Sequence, residues 1–286
     1  MQKPESQKML RIESPLNNSG ILYAKGRISI LKKQDYEVLP DLLDGDAPKQ
    51  FIKAYIYEQD GHVRKHKKET WHKFIAKTAE KWYPHESVIE FMLNKIGEVM
   101  GVEMNQSYLV IANGQIRFLS QYFLNEDERL THGAEICGEH LKDHDFAKEV
   151  AENKKTAREL FTFEFIEEAI RCVYPRCYEE IMQGFVSMLV FDAIIGSNDR
   201  HFYNWGVIEN KKNAEGRVRF SPIYDTARGL YWNMSDENIK QTLHIDKTGG
   251  RRIFNYTREA APRVGVEGNP TANHFDLLAF ILRQRG

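Results

Sequence analysis

A single change in apolar periodicity, near Leu124, limits the folds open to this chain more than any other feature of its sequence. Before it, apolar residues come mostly in strand-like runs. Gly20 to Leu31 reads as a strand or short hairpin, and Phe51, Ile52, Ala54 and Ile56 make a second run. Asp60-Gly61 is a hairpin turn signal, Thr70 to Lys77 is a further strand, and Ser107 to Phe123 is a hairpin about Asn113-Gly114. The exception is ESVIEFMLNKIGEVMG, where Val88, Ile89, Met92, Leu93, Ile96, Val99 and Met100 recur at helical spacing and Gly101 supplies the stop.

Beyond Leu124 helical spacing takes over, around Leu141 to Val150, Thr156 to Cys172 and Tyr178 to Ile195, with a last helix from Ala272 to Arg283. Two short strands interrupt it, Trp205 to Ile208 and Arg217 to Phe220, joined by a polar turn with Asn213 and Gly216. A strand-rich part followed by a helix-rich part defines an α+β chain of two unequal lobes, expected at 1–124 and 125–286.

Composition narrows the function. Of 286 residues 42% are hydrophobic and 28% charged, which excludes wholesale disorder. Lys plus Arg is 40 against Asp plus Glu 41, so the net charge of −1 gives no global reason to expect nucleic acid or an anionic membrane as partner. No apolar run approaches the ~20 residues of a membrane span. The first ten residues lack a signal-peptide core, so the cytoplasm is the expected compartment, with a secreted or translocated protein as the alternative. Cys137, Cys172 and Cys177 read as reduced thiols rather than a disulfide or zinc framework.

The chemistry concentrates in Asp199-Arg200-His201-Phe202-Tyr203-Asn204, a polar loop between a long apolar helix and a short strand. The second strand of that pair runs into SPIYDTARG, with Asp225 just beyond its end. A helix–loop–strand–turn–strand unit sets loop and strand end side by side, so Asp199, Asn204 and Asp225 can converge. Three hard oxygen donors suit Mg²⁺ and leave room for phosphates. Asp, four residues, Asn and a downstream Asp is also the order found in protein-kinase catalytic loops. A polar loop satisfying its own backbone is the competing reading.

The N-terminal part supplies the other components a kinase needs. Lys77 ends the strand KFIAK, and Glu86 opens the long helix nine positions later, with Glu90 a second candidate one turn on. LLDGDAPK places Gly45, Pro48 and Lys49 before a strand, where a phosphate-cradling turn would lie. An ordinary surface lysine, an N-terminal-turn glutamate and a plain turn are the bland alternatives.

In this order the motifs resemble the HipA family of bacterial serine/threonine kinases, toxins of toxin–antitoxin pairs with a divergent two-lobed protein-kinase fold. Asp-x-His-x-x-Asn is matched by Asp199, His201 and Asn204, and Tyr-Asp by Tyr224-Asp225. IRFLSQYF, RLTHGAEIC and LHIDKTGG resemble further family segments, so the likeness runs from about Gly45 to Gly250. It implies Asp199 as catalytic Asp, Asn204 and Asp225 as Mg²⁺ ligands, Lys77 as ATP lysine, His201 as loop scaffold, and Gln121 to Phe123 near the adenine through backbone groups. The family's phosphate-loop serine is absent between Asp41 and Lys49, so self-inhibition there is not implied.

These residues are therefore read as an ATP- and Mg²⁺-dependent Ser/Thr kinase acting on a protein, with a small helix-turn-helix antitoxin as implied partner. A catalytically silent kinase-fold module and a small-molecule or lipid kinase are the competing readings. His62, His66 and His72 lack the Cys or close His partner of a zinc site, and with Arg64, Lys65, Lys67 and Lys68 they read as a solvated basic hairpin or a phosphate contact. Ser235 and the Gly249–Arg252 turn read as exposed surface.

Overall fold

A computed structural model of the chain describes residues 28–40, 49–56, 62–79, 85–212, 217–230 and 232–285. Most of the Gly20–Leu31 run, the Asp60-Gly61 and Asn213/Gly216 turns and the Gly45–Pro48 segment lie outside them. The chain divides into two compact units, Met1–Lys95 with Asn105–Phe123, and Ile96–Met104 with Leu124–Gly286.

The first unit is a six-stranded sheet in the order β1-β5-β6-β4-β3-β2, with β1 at Ser29–Leu31, β2 at Tyr36–Val38, β3 at Lys49–Ala54, β4 at His72–Thr78, β5 at Ser107–Ala112 and β6 at Gln115–Gln121. All pairings are antiparallel except β1 with β5. Alternation sorts β4 cleanly. Phe74 and Ala76 enter a core with Ile52, Ala54, Tyr108, Val110 and Leu119, while Lys73, Ile75 and Lys77 take the opposite face. The β5–β6 turn has φ 51° at Asn113 and 76° at Gly114, the left-handed pair that a two-residue hairpin of this twist requires. Helix α1 (Glu86–Val99) begins in this unit, and its last turn groups with the second.

The second unit has a three-stranded antiparallel sheet, β7 (Glu128–His132), β8 (Gly206–Asn210) and β9 (Arg219–Phe220). Its helices are α2 (Gly133–Leu141), α3 (His144–Glu152), α4 (Lys154–Leu160), α5 (Phe163–Val173), α6 (Tyr178–Ile195), α7 (Asp236–Ile245), α8 (Gly250–Glu259) and α9 (His274–Arg285). The core gathers on α6, whose Phe185 meets Trp205 and Phe163, with Phe161, Phe202 and Phe220 around them. Gly184 lets Phe220 lie against the helix; a Cβ there would come within 2.5 Å of the Phe220 Cβ.

The helix-rich part is more finely divided than its periodicity suggests. Leu141 ends one helix, Lys142 turns left-handed (φ 58°) and Asp143 caps the next by accepting from the Phe146 N–H at 3.0 Å. Thr162 likewise splits Thr156 to Cys172, its hydroxyl accepting from Phe165 N–H at 3.3 Å. These caps compete with helix continuation and leave no mark on the apolar spacing. Helices α7 and α8 bury no residue, so no core-facing stripe announced them. Among the described residues no helix is long and apolar enough to cross a membrane.

His274 ties α9 to the segment after α6, donating from Nε2 to the Ser197 carbonyl at 2.8 Å while 2% exposed. Burial pushes its imidazole below the ordinary value. A depressed histidine contributes stability that is whole above the unfolded value of about 6.5 and is lost as pH falls toward the folded one. Melting temperature should therefore fall as pH drops below about 6.5, and His274→Gln, which keeps an N–H donor without titrating, should flatten part of that slope in thermal melts.

Candidate active site

The polar loop is built outward from the end of α6. Gly196, at φ 71°, ends the helix by donating its N–H to Asp192. Within the loop His201 N–H donates to the Asp199 carbonyl at 2.8 Å and Asn204 N–H to that of His201 at 2.9 Å. The Asn204 side-chain amide donates to the same Asp199 carbonyl at 3.1 Å. Outside the loop, the first N–H groups of α2 engage it: Gly133 donates to Trp205 and Ala134 to Phe202, at 3.0 and 3.1 Å. Gly133 permits that approach, since a Cβ there would meet the Trp205 ring at 2.3 Å.

Arg200, to which no motif gave a role, organises this site. It is 4% exposed and grips Asp192, itself 1% exposed, through two hydrogen bonds of 2.9 Å. Its Nη1 also donates to the carbonyls of Asn204 (3.1 Å) and Tyr224 (2.6 Å). Burial opposes the guanidinium charge, but the Asp192 carboxylate more than offsets this and holds the pKa above its ordinary value. One buried cation thus joins the loop to the segment after β9 that carries Asp225. The lone acid in the apolar run VFDAII was the visible signal for its partner.

Asp225 has φ 54°, a left-handed conformation that aspartate tolerates better than most residues and that gathers at functional sites. The preceding Tyr224 donates its hydroxyl to the Tyr203 carbonyl at 3.0 Å and lies 3.2 Å from His132 Nδ1, with its phenol pKa driven far up by burial. His201 accepts the Tyr203 N–H on Nδ1 at 3.3 Å. Burial pushes its pKa down against the opposing pull of Asp199 and Asp225. Its Nδ1 is an acceptor within the loop. Asp199 itself is held on both oxygens, by Arg263 Nη2 at 3.0 Å from Oδ1 and Arg228 Nη1 at 3.3 Å from Oδ2. Sequence reasoning missed both arginines.

In the first unit, Lys77 makes an ion pair of 2.7 Å with Glu90, the second candidate, at 14% and 2% side-chain exposure. Glu86, the first candidate, is buried one turn earlier on the helix. Lys77 also lies 5.8 Å from the Phe118 ring centre, and Lys49 stands directly across β3–β4 from it. Gln121 ends β6 with its N–H given to the Gln106 carbonyl (2.9 Å) and its carbonyl accepting from Asn105 (2.8 Å), which leaves one carbonyl lone pair. Its side-chain Oε1 is buried without a partner. Tyr122 donates to Lys73, and Phe123 closes the unit.

Among solved structures the chain is similar to CtkA, a proinflammatory kinase of Helicobacter pylori, with a TM-score of 0.62 and 17% identity over 89% of this chain and 81% of that one. The fold is therefore a divergent, protein-kinase-like α+β fold. The family model of the HipA-like C-terminal domain matches residues 43–279, and the chain belongs to that family. A chain of the Shewanella oneidensis MR-1 toxin–antitoxin complex of HipA, HipB and operator DNA matches with a TM-score of 0.46 and 13% identity, over 99% of this chain and 60% of that one. No curated protein sequence matches.

Proposed function

We propose that the chain is an ATP- and Mg²⁺-dependent protein kinase that phosphorylates a Ser or Thr hydroxyl of another protein. The observation that carries this reading is that one buried guanidinium, Arg200, binds the carbonyls of Asn204 and of Tyr224, the residue before Asp225, while the Asn204 amide binds the Asp199 carbonyl. In the proposed reaction Asp199 accepts the hydrogen of the acceptor hydroxyl as its oxygen bonds to the γ-phosphorus. The bond to the bridging oxygen breaks, and its electron pair leaves with ADP. Such transfer depends mainly on positioning and charge neutralisation.

Asn204 and Asp225 are hard oxygen donors of the kind that Mg²⁺ takes. The Asn204 amide nitrogen is committed to the Asp199 carbonyl, so its oxygen is the atom proposed as a metal donor, with the Asp225 carboxylate as the second. Among the described residues no group of three His, Cys, Asp or Glu side chains is placed to hold a metal. Two protein oxygens completed by water and phosphate oxygens is the usual habit of Mg²⁺. When bound, the ion neutralises charge on the phosphates. On the first unit, Lys77, paired with Glu90, is proposed as the ATP lysine and the Gln121–Phe123 backbone as the adenine contact, on the ground of family membership. Family membership is the ground for proposing a small helix-turn-helix antitoxin as partner.

A thermal-shift titration tests the reading. A non-hydrolysable ATP analogue with Mg²⁺ should stabilise the chain, by about 2.7 kcal/mol at a hundredfold excess over Kd. Lys77→Ala and Asp225→Asn should lose most of that gain. Absence of any Mg²⁺-dependent shift in the wild type would remove ATP from the reading, and a shift without phosphoryl transfer would mark a silent nucleotide-binding module.

A further inference from the structure

Two arginines from different segments share the Asp199 carboxylate, and their settings differ. Arg263 lies between α8 and α9 on a segment fixed from below. Buried Arg158 of α4 donates to the carbonyls of Pro270 (3.0 and 2.7 Å), Ala272 (2.7 Å) and Pro262. Val264 and Val266 are buried on either side of Gly265. Gly265 accepts from the Phe163 N–H at 3.0 Å, and a Cβ on it would lie 1.9 Å from the Arg158 carbonyl oxygen. The side chain of Arg263 is 18% exposed. Arg228 instead follows Asp225 by three residues, on a stretch with left-handed backbone at Asp225 and Leu230. It is 37% exposed, and its guanidinium lies 5.1 Å from the Trp232 ring centre.

Each carboxylate oxygen can accept more than one donor, so a substrate hydroxyl meets least competition at the oxygen whose arginine is held more weakly. Arg263 makes a hydrogen bond of 3.0 Å to Oδ1, and Arg228 an ion pair of 3.3 Å with Oδ2. We propose that Arg263 is the positioning residue of Asp199, fixing Oδ1, and that Arg228 is a displaceable cap on Oδ2, the oxygen that takes the acceptor hydroxyl. The proposal rests on the kinase reading above. The two arginines differ in what they do: Arg263 sets the carboxylate's orientation, and Arg228 competes with the substrate. Their removal therefore has opposite effects. Losing Arg263 lets the carboxylate rotate away from the line of attack, which slows turnover without weakening nucleotide binding. Losing Arg228 opens Oδ2 and favours the acceptor.

The test uses the full chain with radiolabelled ATP, Mg²⁺ and dephosphorylated casein as acceptor, with phosphate release to water read in parallel. Arg263→Ala should lower kcat about 100-fold, as misplacement of a reacting group does, with KM for ATP within about twofold. Arg263→Lys, which restores one donor and the charge, should recover about tenfold of that loss. Arg228→Ala should raise kcat/KM for casein about two- to fivefold, the gain expected from freeing a partly exposed ion pair. Thermal melts check folding, and if Arg263→Ala does not fold, Arg263→Lys decides through a reduced kcat at unchanged KM. An active wild type with unaltered kcat in the Arg263 variants overturns the inference alone. So does a parallel fall of Arg228→Ala with Arg263→Ala. A wild type that neither labels casein nor releases phosphate overturns the kinase reading, and the inference with it.

Discussion

Arg200→Met should lower stability by about 3–5 kcal/mol, because removing one partner of a buried ion pair strands the other charge. Asp192 would keep a carboxylate at 1% exposure without its two 2.9 Å donors. The carbonyls of Asn204 and Tyr224 would each lose a donor as well. At about 2–4 °C per kcal/mol for a unit of this size, the melting temperature should fall by roughly 6–20 °C. The double variant Arg200→Met, Asp192→Leu should regain much of that loss, since a buried pair is often replaceable by apolar groups. It should not regain activity, because the guanidinium then no longer joins the loop to the segment carrying Asp225. A fall below about 1 kcal/mol in the single variant would show that Arg200 is not the organising group.

The second large effect is chemical. Asp199→Asn should lower the rate of transfer by about 10²–10⁴-fold, the range attributed to a positioned general base. The amide keeps the size of the carboxylate but cannot accept the acceptor's proton. Nucleotide affinity should stay near that of the wild type, because Asp199 is not among the proposed nucleotide or metal ligands. Asp225→Asn should lose transfer too, but together with Mg²⁺-dependent nucleotide binding. Steady-state kinetics beside a thermal-shift titration separates the two losses.

Much of the fold was legible because the relevant signals are local. Asn113-Gly114 announces its hairpin through residues that tolerate positive φ, and the alternation of Phe74 and Ala76 with Lys73 and Lys77 shows which face of β4 carries the lysine. The segment breaks at Lys142 and Thr162 were hidden, since single caps override a pattern without altering it. The strand β2, three residues long, is too short for any period to register.

The site was legible by halves. Asp199, Asn204 and Asp225 are close enough in sequence for spacing to propose their convergence, and the structure adds that Arg200 binds the carbonyls of Asn204 and Tyr224. Lys77 had two acids one turn apart, and spacing does not choose between them; the 2.7 Å pair is with Glu90. Arg200 stood inside the motif, yet its role depends on Asp192 eight residues earlier across a helix end. Arg263 lies 64 residues beyond Asp199, and only the tertiary packing held by Arg158 and Gly265 brings it there.

The most direct test of the account is transfer of labelled γ-phosphate from ATP to protein, followed with and without Mg²⁺ in the wild type and in folded Asp199→Asn and Asp225→Asn chains. Mg²⁺-dependent label on protein Ser or Thr is expected in the wild type, with its loss in both variants. Label in the variants equal to that in the wild type, or label confined to small-molecule products, would contradict it.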